Sequence, residues 1–333
     1  MGAGTAQRGA CLLISGKVRK NMEFVVFAGV LLLLFIFMIV QELIQTKNQE
    51  KLFKKYLREN YGKEPPKEYS LERFARLGSY LERHKEEKQL DDITWNDLGM
   101  DEVFRRIDRT YSAAGEEYLY YTLRNISCGR EALEHLEEVV NWLQEQENIK
   151  VRIQLLMKRL GHLGKYSLYD YLDNLDYLGE RSNRKIVLGN LLYLPFLLLL
   201  FVQPAMGTIG IVLCMLWHIM TYFREKKVIE PYIISFAYVL RLIDVCEELE
   251  KQKIPVYRRE LDELREALKS LRELRRGAYW VMAGNQGKIG GNPLDILADY
   301  LRMILHLDIW QFNLMLRKLR LKTNEVDRLL GIT

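Results

Sequence analysis

The pair of residues best suited to chemistry in this chain is Gly287-Lys288, inside GNQGKIGG at 284–291. Glycines that let backbone N–H groups approach a phosphate, followed by a lysine that neutralises it, are the working parts of a nucleotide-binding loop. The complete pattern is G-x-x-x-x-G-K-[ST], placed after a strand. Here Ile289 stands where the magnesium-binding hydroxyl belongs, and Met282 where the first glycine belongs. The segment reads as an interhelical loop.

The other reactive types are dispersed. His84, His135, His162, His218 and His306 have no second His or Cys at metal-ligand spacing. Cys11, Cys128, Cys214 and Cys246 form no C-x-x-C pair, which fits a reducing compartment without a disulfide framework. His218 falls beside Trp217 and Tyr222 near the end of an apolar run and reads as an interfacial residue. No nucleophile–base set stands out, so no catalytic, cofactor-binding or metal-binding residue is assigned. One basic stretch, Arg317, Lys318, Arg320 and Lys322, has the charge to meet phosphate or anionic lipid. The competing reading is a solvated helix face.

The elements that would carry these residues are helices and apolar spans. Residues 186–223 contain no Asp, Glu, Lys or Arg. Two apolar arms flank a centre holding Pro204 and Gly207, which predicts a transmembrane hairpin turning there. A third apolar run, Phe24–Val40, predicts an N-terminal span. The hairpin is bracketed by Arg181, Arg184 and Lys185 before it and by Arg224, Lys226 and Lys227 after it. Basic flanks stay cytoplasmic. The first span has Lys47, Lys51, Lys54 and Lys55 on the same side, which puts the N-terminus outside. The basic residues of 1–21 oppose that placement, and a start of translation at Met22 would remove the conflict. Asn125-Ile126-Ser127 matches a glycosylation sequon but falls on the cytoplasmic side.

Composition agrees with helices. The chain has 7 Pro and 22 Gly in 333 residues, and Leu, Glu, Arg and Lys dominate its polar parts. A net charge of +5 is too small to mark a nucleic-acid footprint by itself. The fold class is all-α. Leu71, Phe74, Leu77 and Leu81 mark one helix, and Leu133, Leu136, Val140 and Leu143 another. Thr110 and Ser112 are candidate N-caps for a helix with Glu116 and Glu117 in its first turn. Gly115 predicts close approach to a second element. Pro231 is expected to open a strongly apolar helix. Leu261, Leu264, Leu268, Leu271 and Leu274 stripe a long amphipathic helix suited to coiled-coil packing. A final helix is expected over 294–330.

The segment TWNDLGMDEVFRRIDRTYSAAGEEYLYYTLRNI, 94–126, resembles the opening of the core domain of the MutS family of DNA mismatch-repair ATPases. Thr110, Gly115, Leu119, Leu123 and Arg124 match its structural motif, and the TWNDL-x-MD form at Thr94–Asp101 resembles a membrane-associated bacterial subgroup. The resemblance implies a helical core and lever: a linker over 46–93 after a span at 22–45, core helices over 94–185, the hairpin at 186–223 and lever-like helices over 224–333. It implies ATP and magnesium for a full-length member only, because the ATPase domain has no counterpart here and neither does the mismatch-reading domain. The chain then reads as a truncated module coupling nucleotide-driven change to a membrane or DNA partner. The alternative is a stand-alone scaffold that binds the bilayer and a partner protein, or a second copy of itself, through amphipathic helices. A transporter or channel component fits poorly, since no intramembrane Asp, Glu, Lys or Arg is present.

Overall fold

A computed structural model describes residues 33, 34, 36–41, 43–63, 71–86, 88–126, 129–163, 167–252, 254–275, 281 and 293–332. Residues 1–21, Met22, most of the Phe24–Val40 run and the GNQGKIGG loop lie outside the described residues. The chain divides into two units, Met1–Lys55 with Gly290–Leu297, and Tyr56–Ile289 with Ala298–Thr333. In the first, residues 36–41 and 43–55 are helical and expose Phe37, Leu43 and Leu52. Everything below concerns the second.

Among the described residues there is no named strand, only an isolated antiparallel bridge between Gln89 and Asn125. The helices are α1 (Leu71–Arg83), α2 (Asp92–Asp97), α3 (Met100–Ile107), α4 (Ala113–Arg124), α5 (Arg130–Glu145), α6 (Glu147–Leu160), α7 (Leu168–Leu172), α8 (Arg184–Leu191), α9 (Tyr193–Val202), α10 (Pro204–Glu250), α11 (Arg258–Arg275), α12 (Pro293–Leu305), α13 (Leu307–Arg320) and α14 (Thr323–Ile332). All-α is the architecture observed.

The organising element is α10. Its 47 residues correspond to a length of about 70 Å at helical rise. Pro231 lies inside it rather than opening a new helix. A proline within a helix deletes one hydrogen bond and costs roughly 3 kcal/mol. The residues that follow outweigh that cost by burial: Ile233, Phe236, Tyr238, Val239, Leu240, Leu242, Ile243, Val245 and Cys246 are all buried. A segment apolar on all sides belongs at the centre of a bundle. Leu156 and Leu160 of α6, Leu264, Leu268 and Leu271 of α11, Phe312 and Leu316 of α13, and Val326 and Leu329 of α14 close around it.

Three sequence expectations change here. The α11 stripe is buried as expected, but it packs into this shared core rather than forming a separate coiled coil. The single helix expected over 294–330 is three helices. It breaks at His306, which holds a left-handed φ of 55°, and again after Arg320. The α5 face is the third. Leu133, Leu136 and Val140 are exposed, and Val139 is the buried residue.

A smaller core joins α1 to α4. Leu77, Trp95, Phe104 and Tyr120 form it. Ser112 is the N-cap of α4, accepting from Gly115 N–H at 3.1 Å, while Thr110 instead donates its hydroxyl to Asp108.

The hairpin is α8 and α9 against the first half of α10. Arg184–Val202 and Pro204–Glu250 are both long and apolar enough to cross a membrane. The turn sits at Gln203. Pro204 is the first residue of the second arm and Gly207 is already inside it. Gly207, Gly210, Cys214, His218 and Tyr222 recur at three- and four-residue steps and are buried, the seam by which small residues let apolar helices close. A Cβ at Gly207 would lie 2.6 Å from Leu200 N, and one at Gly210 would overlap the Phe196 ring. The opposite surface is apolar and exposed: Leu194, Leu198, Phe201, Ile209, Leu213, Leu216 and Met220 all face outward.

Candidate functional site

The residues of the MutS-like motif pack rather than form a site. Arg124 is buried at the end of α4. It donates to the Asp92 carboxylate at 2.7 Å, to the Tyr120 hydroxyl at 2.6 Å and to the Leu90 carbonyl at 3.1 Å. Its guanidinium lies over the Trp95 ring, 4.4 Å from the centroid. Leu119 and Leu123 pack against the small core. Gly115 faces its own capping loop: a Cβ there would meet Ser112 Oγ at 3.1 Å and the Thr110 side chain at 3.5 Å. The second element expected beside it is not what constrains it.

The two glutamates of the first turn of α4 are buried. Glu116 pairs with Arg76 at 2.6 Å, and His162 Nδ1 lies 3.6 Å from it. Glu117 accepts from the Ser167 hydroxyl at 3.0 Å. Burial pushes its carboxyl up to about 8, against the lowering effect of that hydrogen bond and of Arg76. Tyr238 from α10 accepts from Ala114 N–H at 3.1 Å. This network ties α1, α4, α7 and α10 together.

The basic stretch on α13 is divided. Arg320 donates to the carbonyls of Leu175 and Gly179 at 2.6 and 3.0 Å, and Lys322 donates to the Ser270 carbonyl. Arg317 and Lys318 are exposed. The four cations do not share one surface role.

What the structure does bring together lies at the polar foot of the hairpin. A pocket of about 600 Å³ is lined by Arg181 before the first arm, by Arg184, Lys185 and Gly189 at its start, by His218, Thr221 and Arg224 at the end of the second, and by His306 and Asn313. Arg181 is fixed by Glu225 Oε2 at 2.5 Å and Asn313 Oδ1 at 3.0 Å. His218 is 1% exposed and neither ring nitrogen has a hydrogen-bond partner. Its ring meets those of His306 and Tyr193 at centroid distances of 5.2 and 5.0 Å. His306 Nε2 lies 3.4 Å from Thr221 Oγ1, while its Nδ1 is unpartnered. Burial first, and then the neighbouring His218, hold the His306 imidazole below its ordinary value, so it presents a neutral ring. One turn on, Tyr222 donates to Asp308 at 2.9 Å and accepts from Lys226 at 2.8 Å.

No family model, curated protein or solved structure matches this chain. The MutS resemblance therefore stays a resemblance of local sequence.

Sequence reasoning used the flanking cations only to orient the hairpin and placed His218 as an interfacial side chain. It had no means of bringing His306 to the same point. The available signal was an imidazole within a charge-free run whose two ends are both basic. Among the described residues no cluster of three or more His, Cys, Asp or Glu is placed to hold a metal ion.

Proposed function

We propose that the chain is a membrane-anchored helical lever, of the kind the MutS resemblance implies, coupling a bilayer-embedded hairpin to a cytoplasmic bundle. The observation that carries this reading is the continuity of α10. Its first half forms one arm of an apolar hairpin, and its second half is the centre of the bundle. A shift of the arm cannot be absorbed by a loop, since no loop intervenes. It is delivered to α6, α11, α13 and α14 directly. In this reading ATP and magnesium act elsewhere in the assembly.

The observation favouring a scaffold role is the apolar stripe of α5. Leu133, Leu136 and Val140 are 54%, 55% and 44% exposed, more apolar surface than a solvated helix needs. A partner protein docking there would use the helix-in-groove mode.

Membranes washed with alkaline carbonate test the anchoring. The chain stays in the pellet if the hairpin spans the bilayer, and its release into the supernatant refutes the reading. A photo-crosslinking residue in place of Leu136 tests the docking. A discrete protein adduct is expected, and its absence in intact membranes defeats the scaffold role.

A further inference from the structure

We infer that the pocket at the foot of the hairpin binds the phosphate headgroup of an anionic phospholipid, whose acyl chains lie along the exposed apolar arms. The inference rests on the membrane reading above and adds a specific ligand to it.

The pocket sits where charge begins at both ends of the apolar run, the depth at which lipid phosphates lie. Its cations are not spent on each other. Arg181 is held by Glu225 and Asn313, but Arg184, Lys185 and Arg224 make no ion pair among the described residues. Glu180 is an acid at the rim, and Glu225 is already matched. Three uncommitted cations around about 600 Å³ of space form an anion site.

The interior supplies the second argument. An unpaired buried imidazole costs free energy, because it has left water without gaining a partner. His218 bears that cost at both nitrogens. His306 also holds a left-handed backbone, which non-glycine residues adopt at a penalty and which concentrates at functional positions. Both rings line the pocket, and a small rotation that turned one imidazole N–H into it would let a phosphate oxygen accept from that group, with the cations outside it. Imidazole rings inside and charged groups at the rim suit a headgroup that enters from the membrane surface.

The neighbouring surface decides between a lipid and a soluble phosphate. Trp217 lines the pocket and is exposed, and Val187, Leu188 and Leu191 are exposed on the same helix, α8, as the lining residues Arg184, Lys185 and Gly189, as is Met220 on α10 beside Thr221. A soluble phosphate makes no use of them, whereas a diacyl lipid covers them.

The test is calorimetric titration of the purified full chain in neutral detergent. The probes are dioctanoyl phosphatidylglycerol, dioctanoyl phosphatidylcholine, glycerol 3-phosphate and inorganic phosphate. Phosphatidylglycerol is expected to saturate one site, with the other three at least about tenfold weaker. The rim variant Arg184→Gln/Lys185→Gln should weaken it by about tenfold or more, as loss of charge-assisted hydrogen bonds requires. Arg224→Gln alone should weaken it in the same direction, which keeps the test open if the double variant misfolds. Equal binding of phosphatidylcholine, or unchanged affinity in both variants, overturns the inference. Glycerol 3-phosphate or inorganic phosphate binding as tightly as the lipid overturns the lipid assignment in favour of a soluble anion. The carbonate wash is run on the same preparations. Lost lipid preference with the chain still in the pellet defeats the pocket alone, and release from the pellet defeats the membrane reading as well.

Discussion

Arg124 places its guanidinium over the indole of Trp95, 4.4 Å from the ring centroid, while it reaches Asp92, so one side chain joins α2 to α4. The indole N–H is itself fixed by Asp101 at 2.7 Å. The planar guanidinium suits this arrangement, because its N–H groups are spread widely enough to reach Asp92, Tyr120 and the Leu90 carbonyl while its carbon lies over the indole, a geometry the compact ammonium of lysine does not reproduce. Arg124→Lys is expected to cost about 1–3 kcal/mol, read as a lowered denaturation midpoint in detergent with secondary structure unchanged. A midpoint equal to wild type would show the stack is incidental.

Glu117 gives the bundle a pH dependence of defined sign. Its folded-state value is raised from an ordinary 4.5 to about 8, chiefly by burial. The folded chain therefore retains a proton that the unfolded chain has released. The Glu117 contribution to stability falls as pH rises from about 4.5 to about 8 and levels off above that. Glu117→Gln keeps an acceptor for Ser167 and cannot ionise. Wild-type stability relative to this variant should decline across that window. A difference that stays constant, or rises with pH, would contradict the burial argument.

The hairpin seam is predicted to be intolerant at Gly210. A β-carbon there overlaps the Phe196 ring, and overpacking of this kind costs about 1–3 kcal/mol. Gly210→Ala should lower the thermal midpoint of the solubilised chain, and Phe196→Leu in the same molecule should restore part of it. Independent, additive losses in the double variant would mean that the two residues do not meet.

DNA binding is predicted to be weak and unselective. Every residue of the MutS-like motif makes internal contacts, and only Arg317 and Lys318 of the α13 stretch are exposed. Competition between mismatched and paired duplexes in detergent should show no preference, with retention falling steeply as salt rises. Selective retention of a mismatch at the higher salt would overturn this.

Local patterns carried the sequence reading where the cause was local. The stripes of α1 and α11 at three- and four-residue spacing, the Ser112 cap and the two apolar arms are all patterns within a few turns. Errors arose where distant residues decide. Nothing near Pro231 announces that the residues after it form the bundle centre, so a boundary was placed where burial carries the helix through. His306 interrupts the last helical stretch although it is neither Gly nor Pro, and its ring finds His218 only through the tertiary fold. The α5 leucines have a periodicity that predicts packing, yet among the described residues nothing covers Leu133 and Leu136. The candidate pocket was legible only as two basic flanks, because its depth comes from three separate segments meeting.

The central claim, that one helix passes from the bilayer into the bundle, is tested most directly by a spin-label scan of α10 in liposomes. Labels placed singly at exposed or half-buried positions from Ile209 to Glu248 are compared for collision with oxygen and with a water-soluble nickel chelate. The account predicts oxygen-dominated accessibility at Ile209, Leu213, Leu216 and Met220, crossing to nickel-dominated accessibility by Lys227 and Val228. Helical periodicity should continue across Pro231 without interruption. Nickel accessibility throughout, or a loss of helical periodicity at Pro231, would contradict it.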